Sequence, residues 1–411
     1  MLSNKVRVAL RILIIIALLF GFAVAGVYIG YNYVISQDKR FNTLKKDIED
    51  GKYDVKADTE GAVTIVVRSG DSTSDIAEQL YDQGLITNKF LFSIISKLNG
   101  FDGAYVAGTH YLLKGYSYDE IMYFLTLEPA AVKVTIPEGS TYYEIKKILH
   151  DAGLNFDDEE FDKCMNSPNL FVDYEFVSQI EIKDGRDFIL SGYLYPDTYY
   201  FDINASPESI IRRFLNNMRN KLYDEYYTRA KKLGMSMDEV ITLASVIQME
   251  TGKPLDMLYV SAVFHNRLKS DDESMRYLGS SATINYLVEI NGGRSSILHT
   301  DSQLSIDSPY NTYTHQGLPP GPICMPGSEA ISAALYPEPN CNYMYFCATG
   351  EDGNTAFATN LSDHEANIEK YRENWIKADE AANASPTPTP ADYTEPTETT
   401  DNGGLVIIPG T

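Results

Sequence analysis

The feature that most constrains this chain is an apolar segment near its N-terminus. No charged residue occurs between Ile12 and Gln37, and most of the segment reads ILIIIALLFGFAVAGVYIG. A helix of about 20 apolar residues crosses the hydrocarbon core of a bilayer. Three basic side chains lie within residues 1–11, which places that end in the cytoplasm by the positive-inside rule. The sequence therefore predicts a cytoplasmic segment over 1–11, a single membrane-spanning helix over 12–34 and an extracytoplasmic remainder.

The same segment also has the features of a cleaved signal peptide. Ala23, Val24 and Ala25 have the small-x-small form of a signal-peptide cleavage site. Apolar residues continue beyond this site through Ile29, which favours an uncleaved anchor over a cleaved signal peptide. Both interpretations carry residues 40–411 out of the cytoplasm.

Charge and metal-ligand patterns argue against several classes of protein. The 411 residues carry 57 acidic and 34 basic side chains, whereas a nucleic-acid binder needs a basic face. The six histidines and four cysteines show no HExxH or CxxC spacing, so we expect neither a metal centre nor a cofactor. Cys341 and Cys347 are either bridged outside the cell or free thiols, and the spacing alone leaves both open.

After the apolar segment, a polar, charged stalk over residues 35–61 leads into a small module. The segment AVTIVV alternates like a strand, and DSTSDIAEQLYDQGLI has the spacing of a helix. A second helix, a strand at AGTHYLL and a third helix at SYDEIMYFLTL complete the pattern. The sequence therefore predicts an α+β module over residues 62–130.

A larger domain follows over residues 131–376. It opens with AVKVTIPEGSTYYEIKKIL, which predicts a strand and then a helix. Residues 377–411 are rich in proline, threonine and acids, which predicts a disordered tail. The expected fold class is thus α+β, with a transmembrane helix, a small α+β module and a larger α+β domain.

The segment SMDEVITLASVIQMETGKP carries the candidate chemistry. Ser236 and Glu239 form a capping box that begins a helix, and Gly252 ends it. On a helical wheel Glu250 falls in the middle of the apolar stripe centred on Leu243. A carboxylate on a buried face is costly unless it is paired or protonated, so Glu250 needs a specific reason to be there.

Two interpretations of Glu250 follow from the residues alone. It is a partner in a buried ion pair, or it is a catalytic acid whose pKa an apolar pocket raises, so that it stays protonated near neutral pH. Its place in the last turn of a helix, at the negative end of the macrodipole, raises the pKa further. The wheel leaves both interpretations open.

A second candidate is the segment SPYNTYTHQGLPPGPICMPG at residues 308–327. Its prolines and glycines fix the shape of a loop, which suits either one wall of a saccharide groove or a purely structural turn. In the first case Asn311 hydrogen-bonds an N-acetyl or hydroxyl group and Tyr313 stacks on a sugar face.

Five segments occur in a fixed order along the chain: IPEGSTYYEI at 136–145, SGYLYPDTYYF at 191–201, LASVIQMET at 243–251, VSAVFHNRL at 260–268 and the loop at 308–327. Together they resemble the YceG-like (MltG-like) family of endolytic murein transglycosylases. The resemblance includes a single anchor and a module similar to the LysM-type domains that bind wall glycans. The alternative for this module is a plain spacer domain. The resemblance implies cleavage of the β-1,4 bond from MurNAc to GlcNAc in peptidoglycan glycan strands.

The resemblance also implies site residues. It makes Glu250 the catalytic group, and it implies substrate contacts from Gln248, Ser281, Thr283, Asn311, Tyr313, Leu318 and Pro319. Three positions depart from the family pattern: Gln248 and Ser281 stand where acids are usual, and Ser191 stands where glutamate is usual. These departures concern the groups around the acid and leave the acid itself in place.

The implied mechanism needs one carboxyl group. Glu250 protonates the glycosidic oxygen, and its carboxylate then takes the proton of the MurNAc 6-hydroxyl as a 1,6-anhydro ring closes. Intramolecular attack has a large entropic advantage over capture of water. The resemblance further implies action on nascent strands at the membrane, beside cell-wall synthases. Two other classes stay open: a non-catalytic wall-binding protein that recruits synthesis partners, and a muramidase that uses water.

Overall fold

The computed structural model describes residues 4–49, 53, 55–56, 59–350 and 353–384. The chain divides into two compact units, Met1–Val132 with Asp202–Asn204, and Lys133–Phe201 with Ala205–Thr411. Helices and small two-stranded sheets make up both units. This mixture confirms the predicted α+β class.

The first unit contains one antiparallel sheet and four helices in its described residues. In chain order its elements are α1 (Asn4–Glu49), β1 (Ala62–Val67), α2 (Thr73–Asp82), α3 (Lys89–Leu98), β2 (Gly108–Leu113) and α4 (Tyr118–Phe124). Strands β1 and β2 pair with Ile65 opposite His110. The helices and strands that the sequence predicts for this module are all present.

The module closes around an apolar core. Capping boxes at Ser72 and Ser117 begin α2 and α4, and Asn88 caps α3. One side chain from each surrounding element is fully buried in this core: Ile65, Leu80, Phe92, Leu112 and Ile121.

The predicted stalk is partly helical, because α1 continues through it as far as Glu49. Phe41 lies against Phe101, with ring centroids 5.1 Å apart, and Leu44 is buried. Arg40 forms an ion pair with Asp119 at 2.9 Å. The contact residues at 40, 41 and 44 share one helical face, so this part of the predicted stalk packs on the module.

The predicted membrane helix, stalk and tail lie in parts of the chain that the structure describes only in part. No helix within the described residues combines the length and the apolarity that a membrane crossing requires. Residues 1–3 of the predicted cytoplasmic segment, residues 50–52, 54 and 57–58 of the stalk, and residues 385–411 of the tail lie outside the described residues.

The remaining elements follow in chain order: β3 (Ala131–Thr135), α5 (Tyr142–Asp151), α6 (Asp158–Met165), α7 (Glu175–Ser178), β4 (Thr198–Asp202), α8 (Pro207–Lys221), α9 (Asp224–Leu233), α10 (Met237–Glu250), α11 (Pro254–Leu268), α12 (Ser281–Ile290), α13 (Asp301–Leu304), α14 (Ser328–Leu335), β5 (Tyr345–Ala348), β6 (Thr355–Ala358) and α15 (Leu361–Ala384). Short 3₁₀ turns lie at Pro168–Phe171 and Glu273–Arg276. Strand β3 pairs with β4, and β5 pairs with β6 in antiparallel fashion.

Helix α10 lies at the centre of the second unit. It begins at the predicted capping box of Ser236 and Glu239, and it packs against α9, α11, α12 and α14. The apolar stripe that the wheel identifies has no exposed surface at Val240, Leu243, Val246 and Ile247. The site at the end of α10 is therefore held by neighbours on all sides of the helix.

A buried ion pair joins the first turn of α10 to the segment that precedes SGYLYPDTYYF. The Arg186 guanidinium donates to both carboxylate oxygens of Asp238, at 2.7 and 3.1 Å. The Tyr193 hydroxyl donates to the same carboxylate at 2.7 Å. The side chains of Arg186 and Asp238 are 1% and 3% exposed, so their charges are compensated inside the protein.

The predicted start of the tail at 377 is wrong. Helix α15 continues to Ala384, seven residues beyond position 377. Residues 377–384 include four alanines, the strongest helix former, and no proline. The proline-rich composition that indicates disorder begins only after this helix.

Candidate active site

Helix α10 places Glu250 where its buried face meets a cavity. Glu250 is the last residue of the helix, and Thr251 leaves the helical conformation with extended backbone angles. Leu243 and Ile247 behind it are fully buried, whereas Glu250 itself is half-buried. The buried stripe therefore ends in a carboxyl group that lines a cavity.

Two cavities meet at Glu250. The larger, of about 600 Å³, is lined among others by Arg267, Ser281, Leu298, Tyr313, Tyr345 and His364. The smaller, of about 240 Å³, is lined by Gln248, Thr251, Asn354 and Thr355, and it also includes Glu250. Both cavities therefore share Glu250 as a wall residue.

The N-terminus of α12 holds the Glu250 carboxylate. The Ser280 hydroxyl donates to Glu250 Oε1, and the backbone N–H of Ala282 donates to the same carboxyl group. Ser280 is the N-cap residue of α12, so the positive end of the helix dipole faces the carboxylate. The Ala282 amide is fixed by the backbone, and the Ser280 hydroxyl rotates about its side chain, so the carboxylate has one rigid donor and one adjustable donor.

Opposing effects set the pKa of Glu250. Burial raises the pKa above its usual value, and this is the largest effect. The Ser280 hydroxyl, the Ala282 amide and the positive charge of Arg267 oppose it, but the pKa remains raised. Burial therefore favours the protonated acid more than water does, whereas the two donors and Arg267 favour the carboxylate that forms when the proton leaves.

Arg267 is half-buried and forms no ion pair with any carboxylate of the described residues. Its guanidinium donates to the backbone oxygens of Met344, Tyr277 and Leu278 at 2.7, 3.2 and 2.7 Å, and it lies over the Tyr345 ring. Because its hydrogen bonds go to neutral groups, its charge acts on the cavity and on Glu250. Arg267 is thus a fixed positive group in the wall of the site.

The structure corrects two expected substrate contacts. Thr283 is fully buried and donates to the Ser280 backbone oxygen at 2.8 Å. Asn311 is also fully buried, and its amide donates to the backbone oxygens of Leu304 and Ile306. Their polar atoms are used inside the protein, so both residues support the loop and the start of α12 rather than face a ligand.

The other expected contact residues fall into two groups. Ser281 and Tyr313 line the larger cavity, and Gln248 lines the smaller one, where it accepts a hydrogen bond from the Gly327 amide at 2.9 Å. Leu318 is half-buried and Pro319 is buried, and neither lines either cavity. Ser191 is buried and contacts the Pro322 backbone. Three of the expected contact residues therefore line a cavity, and their contact with a substrate stays a prediction.

Sequence reasoning missed Ser280, the nearest neighbour of the candidate acid. Its segment, Ser280-Ser281-Ala282-Thr283, drew attention to Ser281, whose side chain lines the cavity without bonding Glu250. The N-cap position of Ser280 is the signal that identifies it, because side chains at helix N-caps lie beside free backbone amides.

The described residues contain no group of three or more histidine, cysteine, aspartate or glutamate side chains arranged to hold a metal ion. All four cysteines are free thiols, so Cys341 and Cys347 are not bridged in this structure. Burial raises the pKa of Cys347 to about 11, which keeps this thiol of the cavity wall protonated.

The second unit is thus an α+β domain with a half-buried glutamate in the wall of two cavities. The sequence profile of the YceG-like family matches residues 65–370. The chain belongs to this family, as its five ordered segments predict.

Characterised relatives and a solved structure agree with this assignment. The endolytic murein transglycosylase of Bacillus subtilis is 32% identical over 330 residues, which is 77% of this chain and 87% of that protein. The endolytic murein transglycosylase of Streptococcus pneumoniae strain D39 is 28% identical over 84% of this chain, which spans only 62% of that protein's length. The crystal structure of a YceG-like protein from Listeria monocytogenes matches 74% of this chain and 98% of its own, with 30% identity and a TM-score of 0.50.

Proposed function

We propose that this protein is an endolytic lytic transglycosylase that cleaves the β-1,4 bond from MurNAc to GlcNAc in peptidoglycan. The observation that carries the proposal is the Glu250 carboxyl group, held by Ser280 and Ala282 at the junction of two cavities. The relatives named above support the substrate class, because each is named for action on murein.

The first step of the proposed reaction uses Glu250 as an acid. Burial raises the pKa of Glu250, which favours the protonated form that donates to the glycosidic oxygen. The bond between MurNAc C1 and that oxygen breaks, and the GlcNAc end leaves with the proton. The Ser280 hydroxyl and the Ala282 amide stabilise the carboxylate as it forms.

The second step uses the same group as a base. The MurNAc 6-hydroxyl attacks C1 and gives its proton to the Glu250 carboxylate, which restores the acid and closes the 1,6-anhydro ring. No water is consumed. Hydrolysis with two carboxylates would need a second acid beside the bond. Glu250 is the only aspartate or glutamate among the described residues that line either cavity.

The two cavities support cleavage within a strand. Because Glu250 lines both, sugar units on either side of the scissile bond have space to bind. Tyr313 and Tyr345 line the larger cavity and offer aromatic faces to a saccharide. An enzyme that acts only on chain ends needs a site closed on one side.

The test is digestion of purified glycan strands by the full chain, followed by strand-length analysis. Internal cleavage shortens the average strand early in the reaction, whereas cleavage from the ends releases single disaccharides first. Co-sedimentation with sacculi without any release of fragments would instead support the non-catalytic wall-binding protein.

A change of pH profile tests the contact between Ser280 and Glu250. A donor to a carboxylate lowers its pKa, so Ser280→Ala raises it and keeps the acid protonated to higher pH. Loss of a hydrogen bond to a charged group, worth about 1.5 kcal/mol, moves the alkaline limb of kcat/KM upward by about one pH unit. Ser281→Ala is the matched control, since Ser281 lines the cavity without bonding Glu250. Identical profiles for both variants would contradict the assignment.

We further propose that the chain is anchored in the cell membrane through residues 12–34, with the second unit outside the cytoplasm. The described side chains of this segment support it, because large apolar residues are widely exposed there: Leu13, Ile14, Ile15, Ile16, Leu18, Leu19, Phe20, Phe22 and Val24. Exposed apolar surface of this extent needs a cover. Flotation of the full chain with membranes, resistant to alkaline carbonate, is expected; release by carbonate would refute the anchor.

Two roles accompany the proposed anchor. The module over residues 62–130 binds wall glycan, as its LysM-like sequence pattern suggests, and the anchor holds the site beside the synthases that make new strands. The short distance along α1 from the apolar segment to the module, from residue 34 to Arg40, supports a module near the bilayer.

A further inference from the structure

The wall of the larger cavity that faces solvent is a loop without regular structure. It joins α12 to α13 and spans residues 291–300. Ile297, Leu298 and His299 from this loop line the cavity that contains Glu250. Ile297 and Leu298 are 40% and 36% exposed, although both are large and apolar. A loop of this kind keeps one shape only if other groups hold it.

One carboxylate from α15 holds the loop. Asp379 accepts hydrogen bonds from the Ser296 hydroxyl at 2.7 Å, the Ile297 amide at 3.0 Å and the Leu298 amide at 3.1 Å. Within the described residues Asp379 forms no ion pair, so its charge is satisfied at this loop by neutral donors. Hydrogen bonds to an ionised group are roughly twice as strong as neutral ones.

A second group holds the other side of the loop. The Asn285 side chain on α12 accepts from the Ser296 amide at 3.0 Å and contacts the His299 ring at 2.9 Å. The same helix supplies Ser280 and Ala282 at its N-terminus. The loop is therefore tied at Asn285 to the helix that holds Glu250, and at Asp379 to α15.

We propose that Asp379 is a positioning residue that fixes Ile297 and Leu298 as an apolar wall for a sugar unit of the glycan strand. The pyranose C–H face and the N-acetyl methyl group are apolar surfaces that suit such a wall. Asp379 lies beyond residue 370, where the family profile ends, on the part of α15 that the sequence predicts to be a disordered tail. The inference deepens the proposed function and rests on it for the identity of the ligand.

The effect on catalysis distinguishes positioning from general stability. Asp379→Ala is expected to raise KM for glycan strands about tenfold and to leave kcat within about twofold, because the chemistry at Glu250 keeps its own contacts. Asp379→Asn keeps one acceptor oxygen, so its KM is expected to lie between those of the wild type and Asp379→Ala. Glu380→Ala, an exposed neighbour on the same helix, is the control and should match the wild type. A fall in kcat as large as the rise in KM, or an unchanged KM, would overturn the proposal.

Amide hydrogen exchange, measured on the full chain, reports how firmly the loop is held. Amides of Ile297 and Leu298 are expected to exchange about tenfold faster in Asp379→Ala, with the amides of α10 unchanged. Equal exchange in both proteins would overturn the contact. The dissociation constant for glycan strands, measured in the Glu250→Gln background, should rise about tenfold on adding Asp379→Ala. That measurement needs no turnover, so an inactive wild type would defeat the proposed function while the binding result still decides the role of Asp379.

Discussion

Replacing Glu250 with glutamine is expected to lower the rate of glycan cleavage by about 10²- to 10⁴-fold. Glutamine keeps the size of the side chain and still accepts from Ser280 and Ala282. It neither donates a proton to the glycosidic oxygen nor takes one from the 6-hydroxyl. Because both steps depend on one group, kcat falls while binding of the strand persists. Single-turnover cleavage and strand affinity of the two proteins give the measurement.

The same substitution is expected to stabilise the fold at neutral pH. A carboxyl group whose folded pKa is raised contributes stability that is fully present below its unfolded pKa and is lost as the pH rises through its folded pKa. Glutamine does not titrate. The gain in unfolding free energy of Glu250→Gln over the wild type should therefore be small in acid and grow with pH through the folded pKa.

Urea unfolding of both proteins at a series of pH values checks this sign. A gain that shrinks as the pH rises would mean that the donors at α12 outweigh burial and hold the Glu250 pKa down. In that case the group would rest as a carboxylate, and its role as the acid would lose its physical basis.

The second large effect is expected at the buried ion pair. Asp238→Ala leaves the Arg186 guanidinium in the interior without its carboxylate, and it also removes the acceptor of the Tyr193 hydroxyl. Breaking a buried pair by removing one partner costs about 3–5 kcal/mol of unfolding free energy. The midpoint of urea unfolding should fall accordingly.

Asp173→Ala is the matched control for this prediction. Asp173 also pairs with an arginine, Arg212, at 3.0 Å, but its side chain is 58% exposed. Exposed pairs are worth about 0–1 kcal/mol, so this variant should stay close to the wild type. Similar losses of unfolding free energy for the two aspartate variants would show that burial does not set how much these ion pairs stabilise the fold.

The sequence could predict the features that depend on local pattern. The elements of the small module, the capping box of α10 and the place of Glu250 on its apolar stripe all follow from residue spacing, and the structure contains them. Glycine, capping residues and apolar periodicity act within a few residues of chain, so they are visible without the fold.

The groups around Glu250 depend on tertiary contacts that spacing does not show. Asn311 and Thr283 have the chemistry of ligand contacts, yet the fold buries them completely and uses their polar atoms at the backbone. Ser280 lies 30 positions along the chain from Glu250, and only the docking of α12 on α10 brings them together. Asp379 falls in the predicted tail because composition alone does not reveal that the helix continues.

The most direct test of the central claim is digestion of sacculi in water enriched in the heavy oxygen isotope, with mass analysis of the released muropeptides. If Glu250 acts as both acid and base, the wild type yields 1,6-anhydro-MurNAc ends without the heavy isotope, and Glu250→Gln releases almost none. Reducing MurNAc ends that carry the heavy isotope, or equal release by both proteins, would contradict the account.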